Sequence, residues 1–406
     1  MPPRIDAESR RVSLDPRDPA FYGDPYAAYR EISATTPTFF WEEYGFWCFC
    51  RHADVSTLLR DRRLGRQILH VASRESLGWP APKEHLEPFE AIERYSLLEL
   101  EPPEHTRLRG LVGGAFVSRQ VERLAPRIEA LVNALVDGFE AAGKAELISA
   151  FATPIPVAAI AELIGAPIEM APRLLDWSHR MVAMYQFGVT REVEDSAASA
   201  AKEFGDSLRE LISRRRRDPA DDLISRLIEA ETEGGRLTES ELVSTLVLLL
   251  NAGHEATVHA IGNGLKALLE AKDARPVASP DEAMVEELLR FDSPLHLFTR
   301  YALQDVEVCG VPLRKGERIG LLLGAANRDP RVFPEPDRLD PRRLRNPHLA
   351  FGAGIHFCVG APLARLEMGI AFDVLLRRLP KIRLTETPRY RDSFHFHGLE
   401  TLRAAW

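Results

Sequence analysis

One stretch of the chain gathers residue types that could hold a metal. Phe351-Gly-Ala-Gly-Ile-His-Phe-Cys-Val-Gly360 sets a single cysteine, Cys358, among three glycines at the entrance to an apolar helix. Glycine reaches φ > 0 and lets a flat ligand come close to the backbone. A thiol at a helix N-terminus meets unpaired N–H groups and the positive end of the dipole, which favour the thiolate. That is the form that ligates iron, and on a haem it donates electron density that favours O–O cleavage. The bland alternative is a buried thiol in a loop that happens to be glycine-rich, and Gly-x-Gly before a helix would not exclude it. The remaining cysteines read as structural. Cys48 and Cys50 share one face of an aromatic strand with no further ligands nearby, and Cys309 precedes Gly310 in a hairpin.

Three other groupings carry chemistry. His105 and Arg109, in Pro102-Pro-Glu-His-Thr-Arg-Leu-Arg109, are four apart and share a helix face. Glu287 and Arg290 are neighbours at i, i+3, which taken alone is usually a surface pair of little worth. In Asn251-Ala-Gly-His-Glu-Ala-Thr-Val258, Gly253, with Gly262 and Gly264 further on, costs a helix up to ~1 kcal/mol per glycine relative to alanine. Such a cost points to a spatial demand. His254-Glu255 and His259 imitate a zinc-protease helix, but that motif needs the second histidine at i+4. At i+5 the imidazoles stand about 140° apart on the helix, and the pair does not predict zinc.

Together these motifs resemble the cytochrome P-450 superfamily, whose haem-binding signature is matched by Phe351-Gly-x-Gly-x-His-x-Cys-x-Gly360. The resemblance runs from about Asp15 to Trp406 and is strongest to the bacterial-type members. It implies a mainly α fold with small β-sheets, a triangular helical prism enclosing haem b (protohaem IX, iron), with Cys358 as the metal ligand. It implies a monooxygenase that inserts one atom of O2 into a small, hydrophobic organic substrate using two external electrons. By the same resemblance His105, Arg109, Arg300 and His356 bind the haem propionates, and Phe351 and Gly352 belong to the proximal loop. Ala252 and Gly253 lie over the haem, Glu255 is the distal acid, and Arg338 joins Glu287 and Arg290 in a structural triad. The substrate pocket is expected from Leu248, Leu249, Leu295, Leu297, Phe298, Phe394 and His395, under a roof from 64–98 and 174–189. His296 is a lesser candidate for a polar anchor, while Met181, Met184 and Phe187 fit core packing equally well.

The sequence departs from the family at one catalytic position. An alcohol normally follows the distal acid, steadying the oxygen being protonated and its water; here Ala256 stands there. Thr257 is one place later, about 100° around the helix, and does not substitute for it. An ordered water or a substrate hydroxyl is therefore expected to take over. A peroxide-driven haem-thiolate enzyme remains an alternative, and a non-catalytic haem sensor a more distant one.

The elements that must position these residues follow from periodicity. A small sheet is expected around Phe39–Phe49, and apolar spacings of three and four predict helices over 124–139, 156–164, 200–212 and 223–231. Thr238 and Glu241 form a capping box for a helix reaching about Ala271, on the order of 50 Å long. Ser279-Pro-Asp-Glu282 opens another. Strands are expected over 299–303, 306–308 and 318–323, then a helix over 359–378 and a C-terminal hairpin. The whole of 1–406 reads as one domain, β-rich near 35–60 and 299–323 and helical over 103–295 and 359–379.

Of the 406 residues 45% are hydrophobic and 28% charged, an ordinary globular balance, and the net charge of −8 argues against a nucleic-acid binder. Arg214–Arg217 are followed at once by Asp218, Asp221 and Asp222, which suits a solvated helix end. No run approaches the ~18 apolar residues of a membrane span, and no signal core opens the chain. A cytoplasmic monomer is expected. With no flavin or dinucleotide fingerprint, electrons are expected from a ferredoxin and its reductase, docking on a patch including Arg107 and Arg365.

Overall fold

The computed structural model describes residues 2–114, 121–232, 237–271 and 281–406. The described residues are mainly helical, with four small sheets. The long helix spans Glu239–Glu270 and carries the expected capping box. Thr238 Oγ1 accepts from the Glu241 N–H at 3.3 Å, and Glu241 Oε2 accepts from the Thr238 N–H at 2.8 Å. The following helix, Glu282–Phe291, is capped by Asp281, which accepts from the Met284 N–H at 3.0 Å. Ser279, expected to be that cap, lies outside the described residues.

The long helix is sheathed by helices Pro154–Ile164, Ala171–Val182, Arg191–Arg217 and Ala361–Arg378. Its glycines are explained by this sheath. A Cβ on Gly264 would stand 2.7 Å from Phe372 Cζ, one on Gly262 2.8 Å from Ile148 Cδ1, and one on Gly253 3.1 Å from Ile160 Cγ1. Close helix–helix approach therefore offsets their poor propensity. The arginine run closes helix Arg191–Arg217, with Arg214 on Glu210, Arg215 on Asp222 and Arg216 on Glu239. No helix among the described residues is long and apolar enough to cross a membrane.

The largest sheet has seven strands, in the order Arg4–Asp6, Arg11–Ser13, Thr38–Trp41, Phe46–Phe49, Arg318–Leu322, Leu297–Ala302 and Leu64–Gly65. Strand Arg318–Leu322 runs parallel to Phe46–Phe49, with Gly320 opposite Cys48, and antiparallel to Leu297–Ala302. Cys48 and Cys50 are buried, and burial pushes the Cys50 thiol up to about 12. Cys309 sits exposed at φ +49° in the turn between strands Val306–Val308 and Val311–Leu313. The C-terminal strands Arg383–Leu384 and Arg403–Ala405 pair with each other, and the latter also pairs with Lys144–Glu146.

The structural ion cluster differs from expectation in one member. Arg290 donates to Glu287 through Nε (2.8 Å) and Nη2 (2.7 Å), both side chains being fully buried. The third cation is Arg343, whose Nε reaches Glu287 Oε2 at 3.1 Å. Arg338 contributes only its backbone carbonyl to Arg290, while its own side chain is exposed beside Glu335. A guanidinium that closes a buried network must come from a position whose chain path points inward, and residue 338 points out. Removing one partner of a buried pair typically costs about 3–5 kcal/mol. Arg290→Ala should lose that much in chemical denaturation and Arg343→Ala a clear part of it, whereas Arg338→Ala should stay within about 0.5 kcal/mol of the parent.

Candidate active site

Cys358 lies just before helix Ala361–Arg378, in a loop that glycine alone can follow. Gly352 and Gly354 have φ +67° and +74°. A Cβ on Gly354 would come within 2.5 Å of Leu59 O. The Cys358 N–H donates to Phe351 O at 3.0 Å, which folds the loop back on itself. Burial pushes the Cys358 thiol up, against the Gly360 and Ala361 amides and the Arg109 charge, which pull it down. The helix entrance favours the thiolate as expected from sequence, and burial opposes it. Coordination to a metal deprotonates a thiol outright.

The four propionate candidates are brought together around this loop. His105 is buried, its Nε2 has no hydrogen-bond partner, and its ring lies 4.5 Å from that of His356. Burial, with His356 and Arg109 close by, lowers the His105 pKa to about 4. Arg109 Nη2 donates to Phe357 O at 2.6 Å. Arg300 is buried, its Nη1 donating to the neighbouring carbonyl of Thr299 at 2.8 Å, and burial followed by Arg66 depresses it to about 9. The buried Arg300 guanidinium, the half-buried Arg109 and an orphaned imidazole nitrogen need anions, so the residues present fit a group carrying carboxylates. Sequence reasoning missed Arg66 and Glu101. Arg66 pairs with Glu99, and Glu101 lies 3.4 Å from His356 Nε2. Neither carried a motif to betray it.

The long helix is largely buried, and its middle carries one partly uncovered stripe. Ala252 is exposed and Leu248 and Ala256 are partly exposed, four apart along one face. Gly253 is not on that stripe, since its Cβ direction meets Ile160. Thr257 is buried with its hydroxyl donating to Gly253 O at 3.2 Å, so it does not stand in for the missing alcohol. Glu255 is buried, its Oε1 held by His259 Nε2 at 3.2 Å and Arg391 Nη1 at 3.3 Å. Burial alone would raise its pKa, but hydrogen bonds from His179 and His259 help bring it well below the usual carboxylate range.

The pocket expectation is corrected at three places. Leu295, Phe298 and His395 remain partly exposed, but Leu249 belongs to the main helical core. Leu297 and Phe394 instead enter the aromatic core with Phe21 and Trp41, the Phe394 and Phe21 rings being 5.1 Å apart. Strand and helix alternation decides these sides, and the sequence left the register open. His296 is no ligand anchor, because its Nδ1 bonds Tyr29 Oη at 2.8 Å in a buried network. Arg107 and Arg365 are committed to Glu241 and Glu286.

Comparison with known proteins accounts for this arrangement. The polyketide biosynthesis cytochrome P450 PksS of Bacillus subtilis (strain 168) is 36% identical over 408 residues, covering 97% of this chain and 98% of that protein. The chain belongs to the cytochrome P450 family. The Cytochrome P450 family profile matches residues 282–389. Nocardicin C N-oxygenase of Nocardia uniformis subsp. tsuyamanensis is 40% identical over 84% of each chain. The structure of P450BioI with a hexadec-9Z-enoic acid ligated acyl carrier protein superposes with a TM-score of 0.88 at 35% identity, over 95% of this chain and 99% of that one. This P450 is a monooxygenase of the bacterial type acting on small organic substrates, and like its family it binds protohaem IX iron through a cysteine thiolate.

His395 gives the site a measurable acid limit. Burial, then the Arg66 charge, lowers its pKa from 6.5 to about 4. Because the folded-state pKa lies below the unfolded one, the unfolded chain binds the proton more readily. Stability from this group is complete above about 6.5 and is lost as pH falls toward 4. His395→Gln should flatten the fall in melting temperature across that window, read by calorimetry.

Proposed function

We propose that residues 1–406 work as one haem domain in which Cys358 is the proximal ligand and His105, Arg109, Arg300 and His356 hold the propionates. The observation that carries this reading is the convergence of a glycine-bound cysteine loop with a buried, unsatisfied imidazole and guanidinium. Bound protohaem supplies the oxidising chemistry, in which two electrons and two protons reduce O2 so that one oxygen enters the substrate and the other leaves as water.

The chain's own residues then shape the substrate and move the protons. Leu248, Ala252, Ala256, Leu295 and Phe298 offer an apolar wall suited to a hydrophobic molecule. His395 adds one polar edge, 6.1 Å ring to ring from Tyr185. Glu255 is the proton carrier, with His179, whose side chain is 41% exposed and whose Nε2 lies 3.2 Å from Glu255 Oε2, as its contact with solvent. With a methyl at Ala256, the proton must pass through water or a substrate hydroxyl at that stripe. Electrons come from a ferredoxin and its reductase, docking through residues other than the paired Arg107 and Arg365. Four free cysteines suit a reducing cytoplasm.

Two measurements test the reading. The reduced, carbon-monoxide-treated protein should show the red-displaced Soret band of thiolate ligation, and Cys358→Ala should abolish it. Ala256→Thr should change the fraction of electrons recovered in product, in either direction, by severalfold. Unchanged coupling would rule out a substitute hydroxyl or water at that position.

A further inference from the structure

Glu255 belongs to a cluster that a proton relay does not use up. Its Oε1 is fixed by His259 and Arg391, which leaves Oε2 aimed elsewhere. Two imidazole nitrogens face that oxygen, His179 Nε2 at 3.2 Å and His254 Nε2 at 3.4 Å. His179 comes from helix Ala171–Val182 and His254 from the long helix, and the three ligand atoms all lie within 4.8 Å of one another.

His254 is the deciding residue. It is buried, and its Nδ1 lies 2.8 Å from Leu250 O. A carbonyl only accepts, so Nδ1 carries a proton, and the position left for a metal-binding lone pair is Nε2, turned toward the cluster. That Nε2 makes no hydrogen bond. A ring oriented by a backbone carbonyl through one nitrogen, with the other left bare, is how proteins present histidine to a metal.

We propose that His179, His254 and Glu255 bind a zinc-type divalent cation. Two imidazoles and one carboxylate are an established zinc ligand set with the fourth position left open. Ligand atoms ~2.1 Å from a tetrahedral zinc stand about 3.4 Å apart, which the two measured separations match. His259 and Arg391 hold the far oxygen and orient the carboxylate. His179 and Glu255 line a cleft of about 170 Å³ together with Gln186, Asp392 and Ser393, which gives water and metal access to the cluster. Sequence alone rejects zinc because His254 and His259 diverge on one helix; the second imidazole arrives from a different helix. Another trio, Asp292, His296 and His397, has equally close atoms but is buried and already bonded by Tyr26, Tyr29 and Tyr390.

The bound ion would tie helix Ala171–Val182, part of the roof, to the long helix and occupy the solvent-facing oxygen of Glu255. Any effect on turnover rests on the role given to Glu255 above; binding itself does not. The test uses haem-loaded protein, stripped with a chelator and dialysed against zinc chloride. The expected result is one zinc per chain by atomic absorption and a zinc-dependent rise in melting temperature. His254→Gln, which can keep the bond to Leu250 O, and the half-exposed His179→Ala should each weaken zinc binding at least tenfold and remove that rise. Less than one zinc per chain, or a loss under tenfold in either variant, overturns the proposal.

Discussion

The long helix Glu239–Glu270 is enclosed by protein on nearly every side, and this enclosure governs both its composition and the place where a chamber can open. Where neighbours press closest, only glycine fits, at 253, 262 and 264. Where no neighbour covers it, the stripe at Leu248, Ala252 and Ala256 lies bare. The helix therefore acts as a wall with one partly uncovered stripe along its middle. Several of its buried polar residues find partners inside the protein. Asn263 Nδ2 donates to His397 O at 2.9 Å, Thr257 to Gly253 O, and Glu255 gathers histidines.

The same demand shapes the charges elsewhere. Glu287 is fully buried and tolerable only because Arg290, Arg343, Asn346 and the Asp340 N–H all converge on it. Around the cysteine loop the balance is left incomplete, with Arg300 bonded, among the described residues, only to a backbone carbonyl and His105 Nε2 without a partner. That imbalance distinguishes a binding site from a structural cluster.

Motifs that are local in sequence were legible. The capping box at Thr238, the helix bearing His105 and Arg109, the cysteine loop and the short strands near 306 and 318 all follow from spacings of a few residues. What stayed hidden depends on partners far along the chain. Arg338 and Arg343 are equally plausible on paper, and only the path of the loop decides which turns inward. Leu297 and Phe298 differ by one residue and face opposite sides of a strand, so one joins the aromatic core and the other does not. Asp281 was one of several residues able to cap its helix. His179 offered no motif at all, and its meaning comes from meeting Glu255 across two helices.

The seven-stranded sheet has a consequence for how the molecule is made. Its strand Phe46–Phe49 leaves the ribosome early, yet the parallel partner Arg318–Leu322 follows only after all the helices up to Glu282–Phe291. Until then the edge carrying Cys48 and Phe49 has no neighbour on that side, and open edges invite pairing with other chains. The aromatic residues of this strand make the exposed interval hazardous, and synthesis speed or a chaperone should govern yield more strongly than the stability of the finished fold.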